Sequence, residues 1–403
     1  MKEKIKKLFK QFGFEIKKYS KDNDHSYKEK LVPLKHDGNN PQGAVLFSYM
    51  IEPFLLSDGD AMPNSHTHYW ESFAIAKILV ELGYNVDVVS YMRKTTIPQK
   101  PYDIFLGVRI NFEKIVKSIN ADCLKIVHLD TAHWLKNNTE NYKHALDFQE
   151  RRGVTIRGAK LVDPNWAIEY ADCATVLGND YTIDTYRYAK KKLYRVPIST
   201  CHVYHYPEDK NFDSVKKNYL WFGSSDFIHK GLDLVLDAFS AMPDYHIYVC
   251  GPMEQEKKFE EAYFEELYHS PNIHTVGWID VTSAKFIDLC NTCIGIVYPS
   301  CSEGGGGSVI QCMHAGLIPI ASYESSVDLG SFGVKLKRCR VDDIKHAIKE
   351  VSGYTNERLG RMSRDSWNFA RQNHKRETFS KNFKEVIVQI TNDFSAKYPK
   401  IRI

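Results

Sequence analysis

A chain of 403 residues with 43% hydrophobic and 26% charged side chains has enough apolar material for two separate cores, and this balance excludes a disordered or collagen-like polymer. No uninterrupted apolar run approaches the ~18–20 residues needed to cross a bilayer, and no signal-peptide core opens the chain. The net charge of +4 is concentrated: residues 1–30 hold ten Lys against five Asp plus Glu, which leaves the other 373 residues at −1 and excludes a broad nucleic-acid surface.

Residues 1–42 read as a basic arm and linker. Ile5, Leu8, Phe9 and Phe12 fall at i, i+3, i+4 and i+7, with Lys2, Lys4, Lys6, Lys7 and Lys10 between them. A short basic amphipathic helix of this kind suits an anionic membrane surface, and suits equally well packing on the body of the protein. With no spanning segment, the expectation is a cytoplasmic protein, peripheral at the inner face of the cell membrane. The polar, turn-rich run from Asp22 to Gln42 reads as linker.

Over 43–200 apolar strands alternate with helices: Ala44–Met50, a helix from Thr67 to Leu82, Asn85–Tyr91, Tyr102–Val108, a helix over Phe112–Ile119, Leu124–Leu129, a helix around Glu140–Arg151, Cys173–Leu177, a helix over Asp180–Lys190, and Leu193–Pro197. Strand–helix–strand units of this length predict right-handed parallel pairing and a doubly wound sheet. Residues 201–217 lose the periodicity and read as an interdomain linker. A second series fills 218–373: Tyr219–Phe222, a helix over Gly231–Phe239, Tyr245–Cys250, a helix over Lys257–Tyr268, Ile273–Gly277, a helix over Ala284–Leu289, and Cys293–Tyr298. Strands near Leu317–Ala321 and Gly333–Leu336 and helices near Val341–Val351 and Asn356–Asn373 follow, and 374–403 closes the chain with a helix over Arg376–Phe394. The nine cysteines lie mostly inside these apolar runs, as reduced core thiols do; Cys290 and Cys293 form a CxxC with no second pair to complete a zinc site.

Ligands of open α/β sheets bind beyond the carboxyl ends of the strands, and two such ends in the second series carry chemistry. The first runs Gly223-Ser224-Ser225-Asp226-Phe227-Ile228-His229-Lys230-Gly231 and sets a cation at a helix mouth. The second, after Val297-Tyr298-Pro299, runs Ser300-Cys301-Ser302-Glu303-Gly304-Gly305-Gly306-Gly307-Ser308 into a helix that reaches Gln311 and stops at Gly316. Glycines at a helix start let a ligand approach unpaired backbone N–H groups, and Lys230 supplies a point charge, so the pair suits a diphosphate. Glu303 can accept hydrogen bonds from sugar hydroxyls, and Gln311 can reach a ribose. The same two residues read equally as a capping acid and a solvated helix residue.

This second series resembles the donor domain of the family-4 retaining glycosyltransferases of GT-B fold. Three features carry the likeness: Gly223 to Lys230-Gly231, Val276-Gly277-Trp278, and Pro299-Ser300 to Gly316, with Glu303 and Gln311 where the family has two glutamates with seven residues between them. The likeness is specific over about 217–390 and architectural over 43–200. It implies two tandem Rossmann-like domains with a helical C-terminus, 374–403, crossing back to the first. It implies catalytic roles for Lys230 and Glu303 and a supporting one near the donor sugar for His128, which ends the strand Lys125–His128; His133 is a weaker candidate. Donor contacts fall to Gly223, Ser224, Gly277, Trp278, Gly304, Gly305, Gly306, Gly307, Ser308 and Gln311. In the first domain the family's glycine pair is missing, and Asn64-Ser65-His66-Thr67-His68-Tyr69-Trp70-Glu71 stands in its place. His66, His68 and Asp60 are therefore the acceptor candidates, with Trp70 read either as a sugar platform or as core and Ser65 as the helix cap.

The resemblance implies a transferase that moves a sugar from a nucleotide-diphosphate sugar to a glycan or lipid-linked acceptor, in surface polysaccharide or lipopolysaccharide synthesis. It implies no cofactor and no metal, with the leaving diphosphate taking the acceptor proton. Two positions depart from the family. Ser224 stands where an Arg is common, a loss of ~1.5–3 kcal/mol for one charge-assisted contact, and Gln311 lacks the glutamate charge, a loss of ~1–2 kcal/mol. These departures motivate the alternative of a catalytically weakened binding or accessory protein; a nucleotide-sugar epimerase or phosphorylase on the same fold is a third reading. A dinucleotide-dependent dehydrogenase is disfavoured, since no GxGxxG follows the first strand of either series.

Overall fold

A computed structural model describes residues 25–57, 59–95, 100–156 and 160–401. The amphipathic arm expected over residues 1–20 lies outside them, as does Asp58.

The first sheet has seven strands: β1 (Leu31–Leu34), β2 (Gly43–Tyr49), β3 (Tyr84–Ser90), β4 (Ile104–Gly107), β5 (Leu124–Leu129), β6 (Cys173–Leu177) and β7 (Lys192–Val196), in the order β1-β3-β2-β4-β5-β6-β7. All pair in parallel except β1, which runs antiparallel to β3 with Leu31 opposite Val89 and Pro33 opposite Asp87. β1 corrects the expectation of plain linker over 22–42. It is short and carries a proline, which an edge strand tolerates because one row of its N–H groups has no ladder partner. The central strands are buried on both faces, as in Val45, Leu46 and Phe47, which is why they read as continuous apolar runs.

The second sheet has β8 (Asn218–Phe222), β9 (His246–Cys250), β10 (Ile273–Thr275), β11 (Gly295–Tyr298), β12 (Ile318–Ser322) and β13 (Val334–Leu336), all parallel, in the order β10-β9-β8-β11-β12-β13. The order of each sheet reverses once, at β2/β4 and at β8/β11, and such a switch point opens a crevice beyond the strand ends.

Apart from the single turns Ala167–Tyr170 and Phe212–Val215, the α-helices of the first half among the described residues are α1 (Thr67–Glu81), α2 (Arg109–Val116), α3 (Trp134–Arg152) and α4 (Asp180–Tyr186). Those of the second half are α5 (Leu232–Ser240), α6 (Lys257–Ala262), α7 (Phe264–His269), α8 (Ala284–Thr292), α9 (Gly307–Met313), α10 (Val341–Ser352), α11 (Asn356–Asn373) and α12 (Arg376–Phe394). The single helix expected over Lys257–Tyr268 is two, because Tyr263 leaves helical geometry and buries its ring, its hydroxyl donating to the Asp233 carbonyl at 3.1 Å. α12 places Phe379, Phe383, Ile387 and Ile390 in the same buried cluster as β2 and α1. Trp70 joins that cluster edge-on to Phe379, 5.8 Å between centroids, so of its two readings the structure takes core.

α3 belongs by chain order to the first half but packs on the core of the second. Phe148 is fully buried, stacked on Phe259 and close to Tyr263, which contributes ~1.5–3 kcal/mol from its burial alone. Arg151 bridges Asp233 and Asp237, and Arg152 bridges Asp237 and Glu266 with its guanidinium 3.8 Å from the Tyr263 ring. The helix extends six residues ahead of the expected start at Glu140, through Trp134-Leu135-Lys136-Asn137-Asn138-Thr139, where no apolar face announces it.

Candidate active site

The crevices of the two switch points face one another across a cleft of about 330 Å³. On the second-sheet side, β8 ends in a turn through Asp226, which takes a left-handed backbone with φ 72°, and the turn delivers Lys230. Its ammonium is buried, donates to the Ser225 carbonyl, and lies 3.9 Å from the Asp226 carboxylate. β11 ends at Tyr298 and the chain passes through Glu303 into the four glycines. Gly306 has φ 54°, and a Cβ there would lie 2.4 Å from Val327 Cγ2 and 2.7 Å from the Ser325 carbonyl; Gly304 is packed so tightly on the first domain that a Cβ would come 2.2 Å from the Asp130 carbonyl. Gly304 and Gly306 leave no room for a side chain, so the loop can pack between the domains only with glycine at these two positions.

Glu303 accepts from the Tyr298 hydroxyl and from Ser300 Oγ, each at 3.1 Å on Oε1, while Oε2 pairs with the Lys160 ammonium. Burial opposes its ionisation, yet Lys160 and Lys230 together hold the carboxyl well below the usual carboxylate range, so it is an anion throughout the physiological range. The same burial, with Lys160 nearby, lowers the Lys230 ammonium.

On the first-sheet side, β4 leads through Val108 to Arg109 at the start of α2, Asp130 follows β5, and the loop after β2 brings Asn64, His66 and His68. Arg109 sits at φ 52°, an uncommon conformation for a side-chain-bearing residue, and makes a two-pronged bond to Asp130, Nε to Oδ1 at 3.0 Å and Nη2 to Oδ2 at 2.9 Å. His68 Nδ1 lies 3.9 Å from Asp130 and its Nε2 4.0 Å from Glu71. Enclosure by the cleft walls lowers both imidazoles, His66 to about 4 although part of its surface stays exposed and His68 well below its ordinary value, so both are neutral hydrogen-bonding groups near pH 7. Asn64 Nδ2 donates across the cleft to Asp280 at 3.1 Å.

Residues 208–352 match the family described as Glycosyl transferases group 1. Among solved structures, the chain superposes on sucrose-phosphate synthase from Thermosynechococcus elongatus with a TM-score of 0.61 at 13% identity, covering 87% of this chain and 99% of that one. It superposes on Anabaena HepE in complex with UDP and glucose with a TM-score of 0.54 at 13% identity, covering 86% and 99%. For WaaG, a glycosyltransferase involved in lipopolysaccharide biosynthesis, the TM-score is 0.52 at 12% identity, covering 86% and 99%. The fold is GT-B. No curated relative matches the chain.

The GT-B cleft gathers most of the residues singled out from the sequence. Gly223, Ser224, Lys230, Trp278 and Glu303 line it, as do Gly304, Gly305, Gly306, Gly307, Ser308 and Gln311, and His66 and His68 face them. Trp278 leaves 62% of its surface exposed at the cleft, an open face for a flat ligand. Four expectations need correction. Gly277 does not line the cleft; with φ 80° it turns the chain, its carbonyl accepting from Gly251 N–H at 3.1 Å, and thereby delivers Trp278. Asp60 lies outside the cleft, exposed and accepting from Ser57 N–H at 2.8 Å, because its turn closes on itself. His128 is buried and does not line this cleft; its Nδ1 lies 2.8 Å from Thr175 Oγ1 and its ring packs against Tyr49, while its Nε2 has no hydrogen-bond partner among the described residues. His133 caps α3 by accepting from Leu135 N–H at 3.3 Å.

Gln311 lines the cleft with its amide already engaged. Oε1 accepts from Thr200 Oγ1, Cys201 N and His202 N at 2.9–3.2 Å, and Nε2 donates to the His202 carbonyl and Tyr204 hydroxyl at 2.8 Å each. It fastens the interdomain linker, and a ribose hydroxyl would have to displace one of these partners. The cap of α1 is His66, whose Nδ1 accepts from His68 N–H at 3.2 Å, and not Ser65. Sequence reasoning passed over Arg109, Asp130 and Lys160. The first two follow strand ends directly, a signal the strand assignment already contained; Lys160 follows a run with no periodicity and gives none. Among the described residues no three His, Cys, Asp or Glu groups converge so as to hold a metal ion.

Proposed function

We propose that the protein is a retaining glycosyltransferase that moves a sugar from a nucleoside-diphosphate sugar to a glycan or lipid-linked acceptor, without a metal, in cell-surface polysaccharide or lipopolysaccharide synthesis. The observation that carries this reading is the convergence of Lys230, the anionic Glu303 and the glycine loop at one switch point, opposite His66, His68 and Asp130 at the other. The relatives add direction: HepE was captured with UDP and glucose, and WaaG acts in lipopolysaccharide biosynthesis. In this reading Trp278 offers its exposed ring to the base, Lys230 and the loop amides bind the diphosphate, and Glu303 accepts from sugar hydroxyls. The anomeric carbon–phosphate oxygen bond breaks as the acceptor oxygen bonds to the same carbon, and the acceptor proton passes to the departing diphosphate. Charge development on that leaving group makes Lys230 the largest single contributor to rate. Neutral His66 and His68 orient the acceptor. The basic arm at 1–20 holds the enzyme at an anionic inner membrane face, where a lipid-linked acceptor would lie.

The test is calorimetric titration of the full chain with UDP, GDP, ADP, CMP and dTDP, with Lys230→Ala beside it. Binding of one nucleotide, weakened at least tenfold in the variant, supports the reading; silence from all of them on folded protein overturns it. The engaged amide of Gln311 favours one other reading, a GT-B binding protein that has lost turnover. Nucleotide binding without sugar transfer to any acceptor, and without donor hydrolysis, would select it.

A further inference from the structure

Lys160 comes from the first half of the chain, yet its ammonium meets Glu303 beside the glycine loop. Three sets of contacts hold it there. Asn137, fully buried on α3, donates to the Lys160 carbonyl at 2.8 Å, and Asn138 bonds Val162 twice, at 2.9 Å to N–H and at 2.9 Å to the carbonyl. α3 is in turn fixed to the second core by Phe148, Arg151 and Arg152. Between these, Asn141 Nδ2 donates to His229 Nδ1 at 3.0 Å, and His229 Nε2 bonds the Ser302 carbonyl on the loop ahead of Glu303. Lys160 is thus registered to the second-sheet strand ends as firmly as if it were part of that domain.

Arg109 is taken up by its two bonds to Asp130, whereas the ammoniums of Lys160, paired with Glu303, and of Lys230, 3.9 Å from Asp226, both line the cleft beside the glycine loop. An ammonium has three donors, and the Glu303 pair uses one of those on Lys160. The two ammoniums act on one another electrostatically across the cleft, and a ligand bearing two negative charges relieves their repulsion more than a singly charged one. We propose that Lys160, carried across by α3, is the second cation of the diphosphate subsite and acts beside Lys230. This rests on the glycosyltransferase reading above and adds to it a phosphate contact from the other half of the chain.

The experiment takes the nucleoside diphosphate that the full chain binds in the panel above, with its monophosphate as the paired ligand, and titrates the parent protein, Lys160→Met and Lys160→Arg. The expected result is a tenfold or greater loss of diphosphate affinity in Lys160→Met with less than a threefold change for the monophosphate, and recovery to within threefold of the parent in Lys160→Arg. A loss shared equally by both ligands, or no loss, overturns the role; so does a charge-retaining Lys160→Arg that binds as poorly as Lys160→Met. If Lys160→Met does not fold, Lys160→Gln serves in its place under the same criteria. The two readings fail separately: parent protein that binds no nucleotide overturns both, whereas a parent that binds and loses affinity only in Lys230→Ala overturns Lys160 alone.

Discussion

At Gln311 a carboxylate would keep only part of the contacts that the amide makes. Its oxygen serves three donors from residues 200–202, but its nitrogen donates to the His202 carbonyl and to Tyr204, whose own hydroxyl proton is spent on the Val281 carbonyl at 2.6 Å. Gln311→Glu would set a charge against that carbonyl and leave two acceptors facing it, at a cost of about 1–3 kcal/mol. The expected outcome is a lower melting temperature with no gain in nucleotide affinity, read by calorimetry; a gain in affinity would mean that the amide turns to the ligand after all. Glu71 invites a second residue-scale test. Burial pushes its carboxyl up from the ordinary 4.5 to about 7, although Ser199 donates both N–H and O–H to it at 2.8 Å. Between those two pH values the folded protein keeps a proton that the unfolded chain has released, so this group's contribution to stability falls as pH rises through the window, by about 3 kcal/mol in all. Glu71→Gln keeps the acceptor for Ser199 and cannot titrate. Denaturant melts of parent and variant at pH 4.5, 6 and 8 are expected to show the variant gaining relative to the parent as pH rises.

Among the elements, the docking of α3 depends on Phe148, and Phe148→Ala removes a ring wedged between Phe259 and Tyr263. Truncation of a fully buried phenylalanine costs about 3–5 kcal/mol. If α3 carries Lys160 into place, the variant also loses diphosphate affinity under conditions where it remains folded, whereas a site independent of α3 would bind as before. What the sequence reveals about these elements follows from how local each determinant is. β2, β5, β6 and β11 are legible because strands covered on both faces are apolar at most positions, and the glycine loop because no other residue fits where Gly304 and Gly306 lie. β1 escapes because four residues with a proline carry no alternation, and the start of α3 because its first turns are polar. Gln311 and Lys160 sit at positions whose chemistry is plain, but their partners are about 110 and 143 residues away in the chain. Side-chain direction set at that range leaves no local trace.

Across the whole molecule, the two halves meet on both sides of the cleft. At one side Glu71, Gln311 and His374 hold residues 198–202, His374 by its Nδ1 2.9 Å from the Ile198 carbonyl. At the other, Arg151 and Arg152 join α3 to Asp233, Asp237 and Glu266. Closure that excludes water around the reacting atoms needs at least one of these sides to give. The arginine side is the more consequential to break, because Asp233 is buried and would be left without its cation, and removing one partner of such a pair costs about 3–5 kcal/mol. Scanning calorimetry is expected to show one cooperative transition for the parent, since Arg151 and Arg152 tie α3 to the second core, and two separated transitions for Arg151→Ala/Arg152→Ala. Adding Asp233→Asn and Asp237→Asn removes two of the three stranded charges, the buried Asp233 among them, and so is expected to recover part of the lost stability while leaving the transitions apart. If the four-site variant instead merges them again, the arginines act only by neutralising Asp233, and the coupling between the halves belongs to the apolar contact of α3.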